Sequence, residues 1–529
     1  MPDIRKMANS GILLSHNDFY KSPRSFSTIL GRNRRQDLLL SLSFLSYDHH
    51  EEPRFRKWSI EELCKTKAHR AYAKERAVFS RLQCWRLWTV LFNEWSPGKN
   101  AKGRRPEFEV LHEAFAKLND RLDDTRDNDQ QAFIKAIASQ GRDNRLLKLR
   151  RAQYMFCADS PLSPFVNAFE RKIGTPLKTY LNVIYFIIEY WHSLCANLHS
   201  TTGLEEWAIS AEWLSKQVRT PAGQITAIMK EISFSISDGR EFSQSSIRQP
   251  NEFALYRDQP ILEIEDAKFV PIEGKLLEEL LFENLLHRIH QANDKNRVFF
   301  SAFGFEYEKY AQNYALKFMQ GLAQYKVIEE FSFDGGQGKE LKSSDLMISI
   351  PEKNCMIIFE FKSARPLYTS FATENNPKSI SESLEKLQDK PWGQVIKALT
   401  NILQNEAHPA FCERTEYFIV SVTMNNYPMT LQENVATNSA GKDISAYFYS
   451  FDIETFEVLM RAARLSSHYS IRDQLFWCYE RRKKMSAKTT LVRYIKTLLA
   501  NGITEDNVYG DVEQETLIEH RSHFKSYEA

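Results

Sequence analysis

The 529-residue sequence predicts an α/β chain in which a mostly helical N-terminal region precedes a module built on a mixed sheet. Three observations predict it. The first half carries long stretches of helical periodicity with few turn signals. Around residues 343–364 two short apolar runs, "SSDLMISI" and "CMIIFEFKSA", flank a turn-forming Pro351-Glu352-Lys353-Asn354 and read as a β-hairpin. Strand and helix patterns then alternate up to residue 465, as in a layered α/β module.

In chain order, the start "MPDIRKMANSGILLSHNDF" has no apolar segment of signal-peptide type, so a cytoplasmic protein is expected. Ser59-Ile60-Glu61-Glu62 has the form of a capping box, with Trp58 and Leu63 placed as a staple, and predicts a helix or two running to Trp95, where Ser96-Pro97-Gly98 stops it. "SPGKNAKGRRPEFE" reads as an exposed loop, followed by helices over 107–120 and 129–157. Arg142, Arg145, Lys148, Arg150 and Arg151, with Lys99, Lys102, Arg104 and Arg105, offer either a phosphate-tracking surface or, better, a solvated face, since Asp120, Asp123, Asp124 and Asp127 lie close in sequence. "YLNVIYFIIEYWHSLCANL" is interrupted by Asn182, Glu189 and His192 and reads as a buried helix, not a membrane span.

"SAEWLSKQVRTPAGQITAIMKEIS" gives two helices joined at Arg219-Thr220, with Thr220 as N-cap and Pro221 at the first helical position. That spacing suits a helix-turn-helix, and many plain helical pairs too. The polar "SDGREFSQSSIRQPNEF" reads as a domain boundary. "QPILEIEDAKFVPIEGKLLEELLFENLLHRIH" then gives a small hairpin and an amphipathic helix. Its His287 and His290 have no third metal ligand in view and read as surface or packed histidines. The resulting division is 1–245 (sensing, oligomerisation or target binding), 250–294 (hairpin and connecting helix), 295–465 (mixed-sheet module) and 466–529 (a basic helical region with Arg481, Arg482, Lys483 and Lys484).

The hairpin carries the chemistry. Pairing Ile350 with Cys355 sets Leu346 against Phe359 and Asp345 against Glu360. Opposed residues on one face have Cβ atoms about 4.5–5.5 Å apart, so two carboxylates there repel unless something neutralises them. Side chains alternate with period two, which puts Lys362 on the face of Glu360. Leu346, Ile348, Ile350, Ile357, Phe359 and Phe361 make the other, apolar face. Asp345, fourteen residues, then Glu360-Phe361-Lys362 resembles the Asp…Glu-x-Lys signature of the PD-(D/E)xK nuclease superfamily, with Ser344 where the family has proline. Upstream, "FGFEYEKYAQNYALKF" has an apolar stripe at helical spacing (Tyr307, Tyr310, Ala311, Tyr314, Phe318). Its flanking Glu308 resembles the family's helix glutamate, with Glu306 as the alternate. Downstream, "KPWGQVIKALTNIL" reads as a helix with Gln394 and Lys397 one turn apart; related nucleases often place a polar side chain from this helix near the phosphate.

The resemblance covers roughly residues 295–465 and implies a restriction-endonuclease-like mixed-sheet nuclease domain. It implies Mg²⁺ or Mn²⁺ held by Asp345, Glu360 and the carbonyl of Phe361, with Lys362, Glu308 and Gln394 completing the catalytic set. The implied substrate is DNA, with RNA left open, in bacterial restriction or antiviral defence. A homo-oligomer or a partner defence protein is the corresponding expectation for the N-terminal region. Hard cations prefer such oxygen donors, and Mg²⁺ typically takes one or two protein carboxylates beside substrate phosphate.

Other readings stay in view. Asp, Glu and Lys on a hairpin also fit an ordinary solvated face, although Glu360 sits in a nearly continuous apolar run that reads as a central strand, where a buried acid needs a partner. A noncatalytic nucleic-acid-binding or interaction protein on a decayed nuclease scaffold is the rival of another class. The loop Gly335-Gly336-Gln337-Gly338 lacks the lysine and helix of a P-loop and reads as a turn at the substrate edge. With a formal net charge of +2, nucleic-acid affinity must come from local patches. Hydrophobic content of 43% with 12% aromatic residues is that of a folded chain, and 529 residues suit two or three domains. The seven cysteines (Cys64, Cys84, Cys157, Cys195, Cys355, Cys412, Cys478) form no C-x-x-C pair, which argues against zinc sites and disulfides.

Overall fold

In the computed structural model, residues 13–484 are described except 21, 23, 32, 48–50, 95–104, 121–143, 158, 198–203, 247–248, 250, 265–266, 336–338, 368–369, 371–375, 426–435, 438–442, 445 and 467–468. Helices come first and mixed sheets later. The N-terminal helices are α1 (Arg35–Tyr47), α2 (Glu51–Leu63), α3 (Lys67–Lys74), α4 (Arg81–Asn93), α5 (Glu107–Asn119), α6 (Arg145–Ala152), α7 (Ser163–Ile173), α8 (Leu177–Asn197), α9 (Ala211–Val218), α10 (Ala222–Ile232) and α11 (Ile236–Ser246). Strands β1 (Ile209–Ser210), β2 (Ser233–Ser235), β3 (Ile261–Ile264) and β4 (Lys268–Pro271) form a small sheet in the order β1-β4-β3-β2. Helices α12 (Gly274–Glu279), α13 (Glu283–Ala292) and α14 (Val298–Met319) lead into the second half. The long apolar α8 is buried, and no helix among the described residues is long and apolar enough to cross a membrane. None of the six described cysteines is in a disulfide.

Several local expectations need correction. Ser59 caps nothing: it lies inside α2, fully buried, and its hydroxyl donates back to the carbonyl of Arg56 at 2.8 Å. Thr66 and Ser80 are the N-caps that divide the expected run to Trp95 into α3 and α4, because their side-chain oxygens sit at the helix starts where unpaired N–H groups need acceptors. Thr220 is not a cap either; its hydroxyl donates to the carbonyl of Val218 at 3.2 Å, and α10 starts at Ala222 behind Pro221. The polar stretch expected to be turn-rich is largely helix α11. Gly239 explains the close approach, since a Cβ there would lie 2.9 Å from Phe234 and 3.0 Å from Phe92 of α4.

The basic cluster changes most. Lys148 and Arg151 are buried, neither solvated nor free to track phosphates. Lys148 pairs with Glu283 of α13, and Arg151 lies 3.7 Å from Glu283, 3.8 Å from Glu454 and 3.2 Å from Glu457. Arg145 pairs with Glu189, and Arg105 binds Glu109 and Glu113. Burial without these acids would be too costly for either cation, so the charges serve as internal ties. Lys99, Lys102, Arg104, Arg142, Asp123, Asp124 and Asp127 lie outside the described residues. His290 packs on Phe299, with ring centroids 5.5 Å apart, and His287 bonds to Gln291 at 2.8 Å.

The second half is built on strands β5 (Lys326–Glu329), β6 (Ser332–Asp334), β7 (Glu340–Lys342), β8 (Leu346–Ile350), β9 (Cys355–Lys362), β10 (Glu416–Thr423), β11 (Ala436–Thr437), β12 (Asp443–Ile444) and β13 (Ala446–Asp452). Five of them form one mixed sheet in the order β13-β10-β9-β8-β5. β8 and β9 are antiparallel in the predicted register, Ile350 with Cys355 through Leu346 with Phe359. The turn between them is a short 3-10 segment closed by Asn354 at φ 45°, a left-handed position that Asn tolerates. β10 runs parallel to both β9 and β13. A parallel neighbour needs a long crossover; helices α15 (Pro377–Leu384) and α16 (Lys390–Gln404) supply it between β9 and β10. Asp452 caps α17 (Ile453–Leu465) by accepting from Thr455 N–H at 2.7 Å, and α18 (Ile471–Lys484) follows.

Both faces of the sheet are covered. Leu346, Ile348, Ile357, Phe359 and Phe361 join the main core under α14 and α17, where Phe456 meets Phe359 and Phe361 edge-on at 5.3 and 5.2 Å. Met347, Met356 and Ile358 pack on the opposite side against Trp392, Val395 and Leu399 of α16. The hairpin therefore has no wholly polar face; only its open end is free for polar groups.

Candidate active site

At that open end the alternation that buries Met356 and Ile358 beneath α16 continues into Glu360 and Lys362. Glu360 is buried, and Lys362 Nζ lies 2.8 Å from its Oε1. Asp345 sits in the bend just before β8, half-buried. Its Oδ2 accepts a 2.6 Å hydrogen bond from the backbone N–H of Phe361, the residue between Glu360 and Lys362. Gln312 of α14 donates to the carbonyl of Asp345 at 3.0 Å and fixes the bend from the helix side. Glu308 is one turn earlier on the same helix, so the i, i+4 spacing turns both toward the hairpin.

The electrostatics identify one cluster. Burial pushes the Glu360 carboxyl up to about 7, with Asp345 and Glu308 adding to the rise and Lys362 opposing it. Burial likewise pushes Glu308 up to about 7, again with Asp345 raising and Lys362 lowering. Asp345 is also raised by burial, against the pull of Lys362 and of the Phe361 N–H. Burial alone would lower Lys362, but Glu360, Asp345 and Glu308 outweigh it and hold the ammonium above its usual value. Three carboxyl groups thus face one ammonium, the arrangement in which shifted carboxyls often serve chemistry.

The donor set fits a hard divalent cation. Asp345, Glu360 and the carbonyl of Phe361 would supply oxygen ligands, and the excess of carboxylates over cations is what such an ion would balance. Among the described residues no three His, Cys, Asp or Glu side chains converge as a ready-made metal cage. Two carboxylates and a main-chain oxygen would therefore have to be completed by substrate or water.

No family model, curated protein or solved structure matches the chain.

Asp345, Glu360 and Lys362 are brought together, and Glu308 lies within their electrostatic reach. Glu306, the alternate helix acid, is buried on another side of α14, and its Oε1 has no hydrogen-bond partner among the described residues. Gln394 and Lys397 are both exposed on α16, while Trp392 and Val395 take its sheet-facing side, and Gln394 makes no hydrogen bond to the acids among the described residues. Ser344, in the place of the family's proline, is buried in the connection to β7. Two contributors escape sequence reasoning. Glu330 and Lys342, 3.0 Å apart, flank Asp345 and Glu308 electrostatically. Their closeness comes from the β6–β7 hairpin, which pairs Ser332 with Lys342. Gln312 escapes sequence reasoning too, although its place four residues after Glu308 puts it on the same helix face. Of the Gly335–Gly338 loop only Gly335 is among the described residues, at the tip of the β6–β7 hairpin.

Proposed function

We propose that this chain is a metal-dependent endonuclease that hydrolyses phosphodiester bonds of DNA, with a restriction-endonuclease-like domain at residues 295–465. One observation carries the reading: Asp345, Glu360 and Lys362 share one end of a central hairpin, with Glu308 facing them from α14. Mg²⁺ or Mn²⁺, when bound, supplies Lewis-acid activation of water and charge stabilisation at phosphorus. The chain's own residues do the rest. Asp345, Glu360 and the Phe361 carbonyl hold the ion; Lys362 places positive charge against a phosphoryl oxygen. Glu308, with a carboxyl near 7, is suited to hold or release a proton at working pH. Bacterial restriction or antiviral defence in the cytoplasm, with a homo-oligomer or partner protein engaged by the helical region, follows from the resemblance alone.

A noncatalytic reading has one observation in its favour: Asp345 and Glu360 are already satisfied internally, by the Phe361 N–H and by Lys362. The two readings separate on a panel of supercoiled plasmid, linear duplex, single-stranded DNA and RNA incubated with the purified protein in Mg²⁺, Mn²⁺ or chelator. Metal-dependent cutting of DNA supports the nuclease; cutting of RNA alone moves the substrate class. No cutting of any substrate, with no metal binding by calorimetry, favours the noncatalytic protein.

A further inference from the structure

We propose that Arg365 and Lys386 form a phosphate-binding pair that holds the backbone of a DNA strand beside the carboxylate cluster. The inference deepens the proposed function and rests on it for the identity of the ligand.

Arg365 follows Lys362 by three residues, where the β9–β10 ladder ends with the bond from Met424 N–H to the Ala364 carbonyl at 3.1 Å. Its guanidinium reaches the carbonyl of Glu283 at 3.4 Å. Lys386 comes from another element, the π-helical turn Glu385–Asp389 between α15 and α16. That turn is fixed beside the acids: the carbonyl of Leu387 accepts from Ser421 Oγ at 2.8 Å, and Ser421 is the β10 neighbour of Glu360. Ala364 and Leu387 pack together with Ile380, and Leu367 N–H donates to Ser383 Oγ at 2.9 Å, so the segment carrying Arg365 is tied to α15 before Lys386 and to Leu387 after it. Single-turn π segments of this kind are frequent at functional sites.

The two cations lie in each other's field without a carboxylate in ion-pairing distance among the described residues. Glu283, the acid acting most on Arg365, is engaged by Lys148 and Arg151. Arg365 is held below its usual value by burial, which Glu283 offsets and Arg257 reinforces; Lys386 is lowered by burial and then by Arg365. With no carboxylate in ion-pairing distance of either cation among the described residues, a phosphodiester backbone is the anion that would complete the pair, in the geometry a guanidinium prefers.

The test is fluorescence anisotropy of a short labelled DNA duplex with the full chain in chelator, so that binding is read without chemistry, over a series of salt concentrations. Lys386→Glu, on an exposed side chain, and Arg365→Gln are compared with wild type and with Lys216→Glu, a charge reversal at an exposed lysine paired with Glu212. The expected result is a loss of affinity on the order of tenfold in each variant, none in Lys216→Glu, and a salt slope smaller by about 0.9 per lost phosphate contact. Wild-type affinity and slope in both Lys386→Glu and Arg365→Gln, or no duplex binding by the wild type, overturns the pair. A wild type that binds duplex through these residues but never cleaves it defeats the nuclease reading and leaves the phosphate pair standing.

Discussion

The backbone N–H of Phe361 donates to Asp345 Oδ2 at 2.6 Å, so the acid before β8 is tied to β9 between Glu360 and Lys362. This bond fixes the carboxylates relative to each other before any ligand arrives, and it separates two roles of Asp345. Asp345→Asn keeps an acceptor for Phe361 N–H and removes the charge; it should fold with near wild-type stability and lose metal affinity. Asp345→Ala also leaves that N–H unpaired, which should cost about 1–3 kcal/mol further. Urea unfolding and metal calorimetry on both variants distinguish the roles; equal stability of the two would show that the bond contributes nothing.

Lys362 is not among the expected metal ligands. Lys362→Ala should retain Mn²⁺ binding while cleavage falls by on the order of 10²-fold or more, the effect of removing one preorganised charge from a transition state. Single-turnover rates at saturating metal read this directly. A loss of metal binding with an unchanged rate at saturation would assign Lys362 to holding the carboxylates instead.

Glu308 gives a pH signature. Its folded-state carboxyl lies near 7, above the ordinary 4.5, so between those values the folded protein binds more protons than the unfolded chain. The contribution of this group to stability is thus fully present below about pH 4.5 and is lost as pH rises through about 7. In chelator, Glu308→Gln should gain stability relative to wild type between about pH 5 and pH 8, as read from urea midpoints. Divalent metal at about pH 8 should narrow the gap by neutralising the cluster. A gap independent of pH would place Glu308 outside the cluster's field.

Arg151 of α6 ties the helical region to α13 and α17 through Glu283, Glu454 and Glu457, and Glu457 also accepts from the Tyr310 hydroxyl of α14 at 2.5 Å. Arg151→Met takes away the cation 3.2 Å from buried Glu457, while Glu283 keeps Lys148, and should destabilise the protein by about 3–5 kcal/mol. Pairing it with Glu457→Gln should recover part of that loss, which a double-mutant denaturation cycle would detect.

The hairpin register was legible because alternation, the four-residue turn and the apolar run over Met356–Phe359 all specify one pairing. The stripe on α14 was legible for the same reason: Tyr307, Tyr310, Tyr314 and Phe318 recur at helical spacing and are all buried. The small sheet was only half visible, since β3 and β4 form a local hairpin whereas β1 and β2 have two and three residues and gain strand character only by pairing with them. Lys148 and Arg151 were misread because their counter-charges lie more than a hundred residues away, beyond any local pattern. Ser59 looked like a cap because sequence shows the S-x-x-E spacing but not that α2 had already begun eight residues earlier. Arg365 and Lys386 lie in different elements, and only the crossover from β9 to β10 brings them together.

Whether Glu360 is a catalytic carboxylate is decided by cleavage of supercoiled plasmid in Mg²⁺ by wild type and Glu360→Ala at matched, verified fold. Metal-dependent nicking by the wild type that disappears with chelator and in Glu360→Ala is the predicted result. Equal nicking by both proteins would contradict it and place the chemistry away from the hairpin.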